Sequence, residues 1–297
     1  MKYGTAPAFR RALEDRLKVR AGGHGARIAR DRKRVAFDRF LARLVEVAAG
    51  EWVLKGGFAL DLRLEDRARS TKDIDLAWHA DEDELLDVLI DAAGHDVGDF
   101  FTFTVERTDD PPERFGGAHR FRVSGSLAGR SFETFVLDVG HTNDVASTEI
   151  LTTPDLLGFA GIAPVSVPTI PIVVQIAEKL HAYSRVYEGG RVSSRAKDLV
   201  DLALIASLFA LDAEELRQTI ETTFTARSTD ELPRAVPPPP APWQTPFRQL
   251  ATTVGLDGDL DAGHHTVAAM LDPILDHHVQ AGMWNPKVQR WTDITTS

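Results

Sequence analysis

The stretch that decides the fold is WVLKGG at residues 52–57, an apolar strand that ends in a lysine and a glycine turn. A predicted helix follows, and residues 73–78, DIDLAW, then alternate polar and apolar residues as a half-buried strand does. An acidic amphipathic helix is predicted at 81–93. Further strands are predicted at 100–106, 119–127 and 132–139. This order of strand, helix, strand, helix and strands predicts a mixed α/β sheet.

Helical patterns flank this region on both sides. Residues 6–21 and 26–49 have helical periodicity. Later helices are predicted at 171–187, 194–209, 212–225, 244–254 and 260–281. Residues 233–246 hold seven of the sixteen prolines, which indicates a stiff polyproline-like connector. We therefore predict an α+β protein, with a mixed α/β domain over residues 1–165 and an α-helical domain over residues 166–297.

The composition fits a globular protein and excludes several classes. The 297 residues are 43% hydrophobic and include no Cys, which excludes a disulfide scaffold, a thiolate zinc site and cysteine catalysis. Lys and Arg number 34 against 44 Asp and Glu, a net charge of −10. No apolar run approaches the roughly 18 residues of a membrane span, and the N-terminus lacks the apolar core of a secretory signal. We therefore expect a cytoplasmic protein with no membrane partner.

The turn Lys55-Gly56-Gly57 has the features of a phosphate-binding site. Glycines let a phosphate approach the backbone, and the exposed amides at the start of the following helix attract it. The lysine adds a full positive charge. A plain tight turn is the alternative interpretation.

Three carboxylates indicate a metal site. Asp73 and Asp75 are two residues apart on a strand, so both side chains point to one face. Asp138 is a single carboxylate in the apolar run 135–139, where a buried charge needs a partner. Hard cations such as Mg²⁺ bind carboxylate oxygens in this arrangement. The alternatives are a solvated Asp pair and an edge position for Asp138.

Two predicted helices of the second domain carry further charged candidates. Lys179 lies on the first. Arg195, Asp198 and Asp201 follow at three-residue spacing on the second, whose other residues are almost all apolar. A buried charged group must be paired with an opposite charge or serve a function. The alternative to a functional role is an internal Arg–Asp ion pair. We expect Lys179 and Asp201 to serve the same pocket as Asp73.

The order of these clusters resembles that of the AbiEii/AbiGii-type nucleotidyltransferase toxins, the type IV toxin–antitoxin family that includes the MenT-like proteins. The resemblance covers about residues 50–205 and depends on four motifs in order. They are KGGFAL at 55–60 with Arg63, RSTKDID at 69–75, EKLHA at 178–182 and RAKDLVDL at 195–202. The wider superfamily usually has Gly-Ser at the turn, whereas this chain has Gly56-Gly57 and lacks that serine hydroxyl.

The resemblance implies a nucleotidyltransferase-like N-terminal domain that moves a nucleoside monophosphate from an NTP to RNA, with the tRNA 3′ end as the best candidate. It implies blocked translation, neutralisation by a cognate antitoxin, and Mg²⁺ or Mn²⁺ as cofactor. The residues it implies as metal ligands are Asp73, Asp75 and Asp138. The catalytic residues it implies are these three with Lys179 and Asp201. The nucleotide-binding residues it implies are Lys55, Gly56, Gly57, Arg63, Arg69, Arg195 and Asp198.

Other functions remain open at this point. The transferred group could go to a protein hydroxyl, or the chain could be a non-catalytic binding module with a nucleotidyltransferase-like fold. A glycosyltransferase also uses Asp-x-Asp with a metal, but its nucleotide-sugar fold would put a longer segment before Asp73.

The first 50 residues are basic, with thirteen Lys and Arg against five Asp and Glu. A basic segment on an acidic body attracts a polyanion, and RNA affinity comes mainly from phosphate contacts. The cations that we expect to bind an RNA acceptor are Arg27, Arg30, Arg32, Lys33 and Arg34. A pair of solvated helices is the alternative.

Overall fold

The computed structural model of the protein describes residues 1–108, 119–142, 147–185, 195–227 and 231–292. Packing divides the chain into two compact units. The first consists of Met1–Glu65 and Ser70–Ile170, and the second of Asp66–Arg69 and Pro171–Ser297. The second unit is therefore discontinuous in sequence, because a short segment from the N-terminal half of the chain belongs to it.

The first unit combines helices with one large sheet. Its helices are α1 (Ala6–Arg20), α2 (Gly25–Val47), α3 (Gly56–Leu64) and α4 (Leu85–Gly94). Its strands are β1 (Trp52–Lys55), β2 (Asp73–Trp78), β3 (Phe101–Arg107), β4 (His119–Leu127), β5 (Arg130–His141), β6 (Glu149–Thr152) and β7 (Ser166–Thr169). Short 3₁₀ turns lie at Glu65–Arg67 and Gly158–Ala160.

The seven strands pair in the order β3-β4-β5-β2-β1-β7-β6. β2 runs parallel to β5, and β1 runs parallel to β7. The other neighbours are antiparallel. The mixed α/β sheet predicted from the sequence is confirmed, and β6 and β7 are additions to it. The topology brings β2 beside a strand that comes much later in the chain.

The two faces of the sheet differ, as the alternation in β2 predicts. Ile74, Leu76 and Trp78 are buried in the hydrophobic core. Asp73 and Asp75 alternate with them and are half-buried on the opposite face. Since successive side chains of a strand point to opposite faces, the core and the carboxylates lie on different sides of the same strand.

Aromatic contacts fix α2 against the core face. The ring centroid of Phe37 lies 4.8 Å from that of Phe58 in α3 and 4.9 Å from that of Phe135 in β5. Phe40 lies 5.5 Å from Phe103 in β3. Such edge-on pairs contribute about 0.5–1.5 kcal/mol each beyond the burial of their area. One helix therefore holds α3 and two strands in a common core.

Most cations of α2 are paired inside the first unit. Buried Arg34 donates to Asp61 at 2.7 and 3.0 Å, and Arg30 donates to the same carboxylate at 2.6 Å. Both arginines also donate to the backbone carbonyl of Glu65 at 2.7 Å. The carboxylate of Asp61 thus has two guanidinium partners in a site from which solvent is nearly excluded.

Two further cations of α2 are also paired with a carboxylate of the first unit. Lys33 and Arg32 both pair with Glu133, at 3.1 and 3.8 Å. Four of the cations expected to bind RNA, Arg30, Arg32, Lys33 and Arg34, are thus paired with two carboxylates within the first unit, and their role in RNA binding stays a prediction. The fifth cation of that group, Arg27, is exposed.

The second unit is mainly helical, as predicted. Its helices are α5 (Ile172–Ser184), α6 (Ala196–Leu208), α7 (Ala213–Arg227), α8 (Gln244–Thr253) and α9 (Leu260–Leu275). It also contains a small sheet in the order β10-β9-β8, formed by β8 (Leu211–Asp212), β9 (Met283–Asn285) and β10 (Arg290–Thr292). Trp284 is fully buried there, and its indole Nε1 donates to the carbonyl of Ala206 at 2.7 Å.

The proline-rich stretch packs against the second unit. Val236 and Trp243 are buried. The Val236 amide donates to Asp272 at 2.7 Å, and the Tyr183 hydroxyl donates to the carbonyl of Pro237 at the same distance. Within the described ranges of the whole chain, no helix combines the length and apolarity needed to cross a membrane.

Removal of the Asp61 carboxylate should strongly destabilise the first unit. Asp61→Ala leaves buried Arg34 without this counter-ion, and such a break costs about 3–5 kcal/mol in the free energy of unfolding. Glu46→Ala is the matched control, because Glu46 lies in α2 and pairs with His95 at the surface. That change should cost no more than about 1 kcal/mol. Urea unfolding of both variants checks this, and equal losses would contradict it.

Candidate functional site

The carboxylates predicted to bind a metal lie on the half-exposed face of the central strands. Asp75 is the direct partner of Asp138 in the parallel pairing of β2 with β5. Residues at paired positions of neighbouring strands point to the same face. The register therefore brings Asp75 and Asp138 side by side, with Asp73 two residues earlier on the same strand face.

The turn after β1 is shaped to admit the carboxylate of Asp75. Gly56 has a φ of +68°, a left-handed conformation that residues with a side chain rarely adopt. A Cβ atom at Gly56 would stand 1.9 Å from Oδ2 of Asp75, far inside van der Waals contact. Glycine is therefore required by both the backbone and its neighbour. The start of α3, with Gly57 in its first turn, consequently lies beside this carboxylate.

Lys55 extends over the same face of the sheet. It is the direct partner of Asp75 in the antiparallel pairing of β1 with β2. A Cβ atom at Gly140 in β5 would lie 3.6 Å from the ammonium nitrogen Nζ of Lys55. Gly140 is two residues beyond Asp138 and so shares its strand face. The ammonium group thus lies close to the carboxylates and brings a positive charge to them.

Asp138 has a cationic partner that the sequence analysis missed. Arg120 in β4 is the register partner of Asp138, and its Nε and Nη2 donate to Oδ1 and Oδ2 at 2.7 and 2.9 Å. The Asp138 side chain is only 9% exposed, so the pair satisfies a buried charge. The runs 119–127 and 132–139 indicate two neighbouring strands but not their register, which shifts at Gly125 and Ser126, so this partner could not be predicted from the sequence.

The donor chemistry of this face suits a divalent cation, because carboxylate oxygens are the ligands that hard cations prefer. Oδ1 of Asp73 accepts a hydrogen bond from the Thr71 hydroxyl at 2.7 Å, and both oxygens of Asp138 accept from Arg120. In the parts of the chain that the structure describes, no three His, Asp or Glu side chains are gathered as a ready-made metal site. The assignment of Asp73, Asp75 and Asp138 as ligands stays a prediction.

Arg63 connects α3 to the other end of the sheet. Its guanidinium pairs with Glu149 of β6 at 2.8 Å and donates to the backbone carbonyl of Ile170. The side chain is buried except for 5% of its surface. These contacts hold β6 and the end of the first unit near α3, and the predicted nucleotide-binding role of Arg63 stays a prediction.

The second group of candidates forms a charged network within the second unit. Lys179 of α5 donates to Asp201 of α6 at 2.6 Å and lies 3.4 Å from Asp198. Arg69 donates to both oxygens of Asp201 at 2.9 and 2.8 Å, and Arg195 pairs with Asp198 at 3.1 Å. The internal ion pair that the sequence left open is therefore present. All five members of the network are residues for which the sequence predicts a functional role.

Burial and neighbouring charges have opposite effects on the pKa values of Lys179 and Asp201. Burial disfavours the charged form of Lys179, but Asp201 and Asp198 outweigh it and raise the pKa of the lysine above its ordinary value. Burial likewise opposes ionisation of Asp201, and Lys179 and Arg69 outweigh it and lower the pKa of this carboxyl. Both groups therefore stay ionised at neutral pH. Asp201 is fully buried, so its ionisation depends on these two cations.

Comparison with solved structures shows that other proteins share this fold. The structure is similar to MenT4, a nucleotidyltransferase toxin from Mycobacterium tuberculosis H37Rv, with a TM-score of 0.55 and 22% sequence identity. The similarity covers 84% of this chain and 92% of MenT4. JHP933 from Helicobacter pylori matches with a TM-score of 0.46 and 16% identity, over 82% of this chain and 92% of that one.

The family follows from the sequence model that matches the chain. Residues 39–280 match the family of the nucleotidyl transferase AbiEii toxin of type IV toxin–antitoxin systems. The chain belongs to this family, as its motifs predicted. Membership implies an NTP substrate, transferase activity and a partner antitoxin. None of the curated proteins matches the chain at a significant level.

The stability of the second unit should depend on the charge of Asp201. Because the folded pKa of Asp201 is lowered, its contribution is complete above the ordinary aspartate pKa and is lost as pH falls through the folded pKa. Asp201→Asn should therefore cost about 3–5 kcal/mol in the free energy of unfolding at pH 7. The difference in the free energy of unfolding between Asp201→Asn and wild type should become smaller below about pH 4.

Urea unfolding across a pH series measures this effect. The control is Glu215→Gln, which alters an exposed carboxylate in α7 and should change the free energy of unfolding by less than about 0.5 kcal/mol. A difference between Asp201→Asn and wild type that stays constant down to pH 2 would contradict the stated role of Asp201.

Proposed function

We propose that the protein transfers a nucleoside monophosphate from an NTP to the 3′ end of a tRNA in the cytoplasm, and so blocks translation until a cognate antitoxin neutralises it. The observation that carries this proposal is the face on which Asp75 and Asp138 stand side by side, beside the Gly56 turn and the ammonium of Lys55. Carboxylates for a cation and positive groups for phosphates are what nucleotidyl transfer requires.

The turn and the lysine are proposed to bind the triphosphate. The first amides of a helix have no partner within it, and at α3 they include the amide of Gly57. Gly56 and Gly57 leave phosphate oxygens room to approach the backbone. Lys55 neutralises the β- and γ-phosphates, on which negative charge grows as pyrophosphate leaves.

The carboxylates are proposed to act at the α-phosphate. Asp73, Asp75 and Asp138 would hold Mg²⁺ or Mn²⁺, which when bound screens the phosphates and lowers the pKa of the attacking hydroxyl. The RNA hydroxyl oxygen forms a bond to the α-phosphorus while the bond to the bridging oxygen of the β-phosphate breaks. Pyrophosphate leaves with that electron pair, and the hydroxyl proton passes to a carboxylate of the same face.

The charged network of the second unit is proposed to contribute to catalysis through Lys179 and Asp201. Arg69, Arg195 and Asp198, together with Arg63 of the first unit, are proposed to bind the nucleotide. The support is electrostatic, because three cations, Lys179, Arg69 and Arg195, lie together with the carboxylates of Asp198 and Asp201. Cationic side chains raise the local concentration of a polyanionic triphosphate.

RNA is proposed to approach the exposed cations of the N-terminal helices. Arg11 and Lys18 of α1 and Arg27 of α2 are exposed, unlike the paired cations further along α2. The chain as a whole carries a net charge of −10 and repels RNA at long range. An exposed basic patch is therefore needed to attract an RNA acceptor.

Incubation with total tRNA, Mg²⁺ and each NTP labelled at the α-phosphate should label tRNA. Asp75→Asn should lower the labelling rate by about 100-fold or more, because it removes charge from the reacting centre. Asp87→Asn is the matched control, since Asp87 is exposed on α4 and belongs to the same unit. It should leave the rate unchanged, and circular dichroism should show both variants folded.

The position of the label separates the competing functions. Label on tRNA that disappears with Asp75→Asn supports the proposal. Label on protein instead of tRNA would replace RNA with a protein hydroxyl as acceptor. No label from any of the four NTPs would overturn transfer and leave a binding module.

Replacement of Arg11, Lys18 and Arg27 by Gln should weaken RNA binding and flatten its salt dependence. The slope of log affinity against log salt should fall by about 0.7 for each phosphate of a single strand that the variant no longer neutralises. NTP affinity should not change, because the proposed triphosphate site lies at Lys55 and the Gly56 turn.

The control removes three exposed cations from the second unit, Arg248, Lys287 and Arg290. Its salt slope should equal that of wild type. If both triple variants have the wild-type slope, the N-terminal helices do not bind the RNA.

A further inference from the structure

Arg120 holds the carboxylate whose predicted role is to bind a divalent cation. Its guanidinium donates to both oxygens of Asp138, at 2.7 and 2.9 Å. The two hydrogen bonds run in parallel, which is the strong bidentate geometry of an arginine and a carboxylate. A cation that approaches Asp138 therefore meets a positive charge already bound there.

The two members of this pair differ in their freedom to move. The Asp138 side chain is 9% exposed and lies on a central strand, whereas the Arg120 side chain is 30% exposed. A long side chain with access to solvent can withdraw into water without leaving a buried charge behind. A carboxylate stripped of its partner cannot do so and needs another cation.

Strand pairing does not depend on this ion pair. β4 and β5 are in register from His119 opposite Val139 to Leu127 opposite Arg130, with one irregularity at Gly125 and Ser126. This long backbone ladder holds Arg120 and Asp138 opposite each other whether or not their side chains interact.

We infer that Arg120 is a positioning residue, an internal counter-cation that occupies Asp138 until a divalent cation displaces it. This inference rests on the proposed function, in which Asp138 is a metal ligand. Arg120 balances the charge of the buried carboxylate and holds it in a fixed orientation in the metal-free protein. The same ion pair weakens metal binding, because the divalent cation must first replace the guanidinium.

Mn²⁺ binding to the full-length protein, measured by titration calorimetry without nucleotide, tests this directly. Arg120→Gln should bind Mn²⁺ about tenfold more tightly than wild type, the scale expected when a competing charged hydrogen bond is removed. Arg120→Lys keeps the positive charge but cannot make the two parallel hydrogen bonds of a guanidinium. Its affinity for Mn²⁺ should lie between those of wild type and Arg120→Gln. Arg122→Gln is the matched control, because Arg122 is exposed two residues along the same strand, and its affinity should equal that of wild type.

The double variant Arg120→Gln, Asp138→Asn identifies the carboxylate involved. It should lose the gain in affinity, and retention of the gain would overturn the inference, since the effect would then arise elsewhere. Equal affinities of folded Arg120→Gln or Arg120→Lys and wild type would also overturn it while leaving the proposed metal site intact. No Mn²⁺ binding to any variant would overturn both this inference and the metal role in the proposed function.

Discussion

The parallel pairing of β2 with β5 is the constraint on which the candidate site depends. It sets Asp75 opposite Asp138, and the neighbouring antiparallel pairings add Lys55 on one side and Arg120 on the other. A shift of one residue in this register would turn the side chains of β2 to the opposite face. The buried Ile74, Leu76 and Trp78 prevent such a shift. The apolar half of β2 therefore fixes the position of its polar half.

Charge inside this protein is handled by local neutralisation. Asp61 is paired with Arg30 and Arg34 in the first unit, and Asp201 with Lys179 and Arg69 in the second. Each of these buried carboxylates meets two cations, which offsets the cost of removing the charges from water. A high content of basic residues in a helix is consequently a poor guide to its outer surface. Only the basic side chains that are not paired with internal carboxylates contribute their charge to the surface.

The sequence predicted what depends on local patterns and missed what depends on distant pairing. The alternation in DIDLAW was enough to set Asp73 and Asp75 on one face. The pairing of Arg120 with Asp138 needed the register of two strands, and that of Arg69 with Asp201 joins residues more than a hundred positions apart. β8 has two residues and β6 four, too few for alternation to be recognised. The family motifs supplied the order of the clusters but not the partners of each charge.

The second unit includes Asp66–Arg69, a segment from the N-terminal half of the chain. During synthesis this segment emerges long before α5 and α6. The guanidinium of Arg69 can therefore pair with Asp201 only after the later helices have been synthesised. A fragment that begins at Pro171 would bury Asp201 with Lys179 but without Arg69. The two compact units therefore cannot be divided by a single cut in the chain. For a toxin, this order of assembly means that an interrupted translation product holds an incomplete charge network.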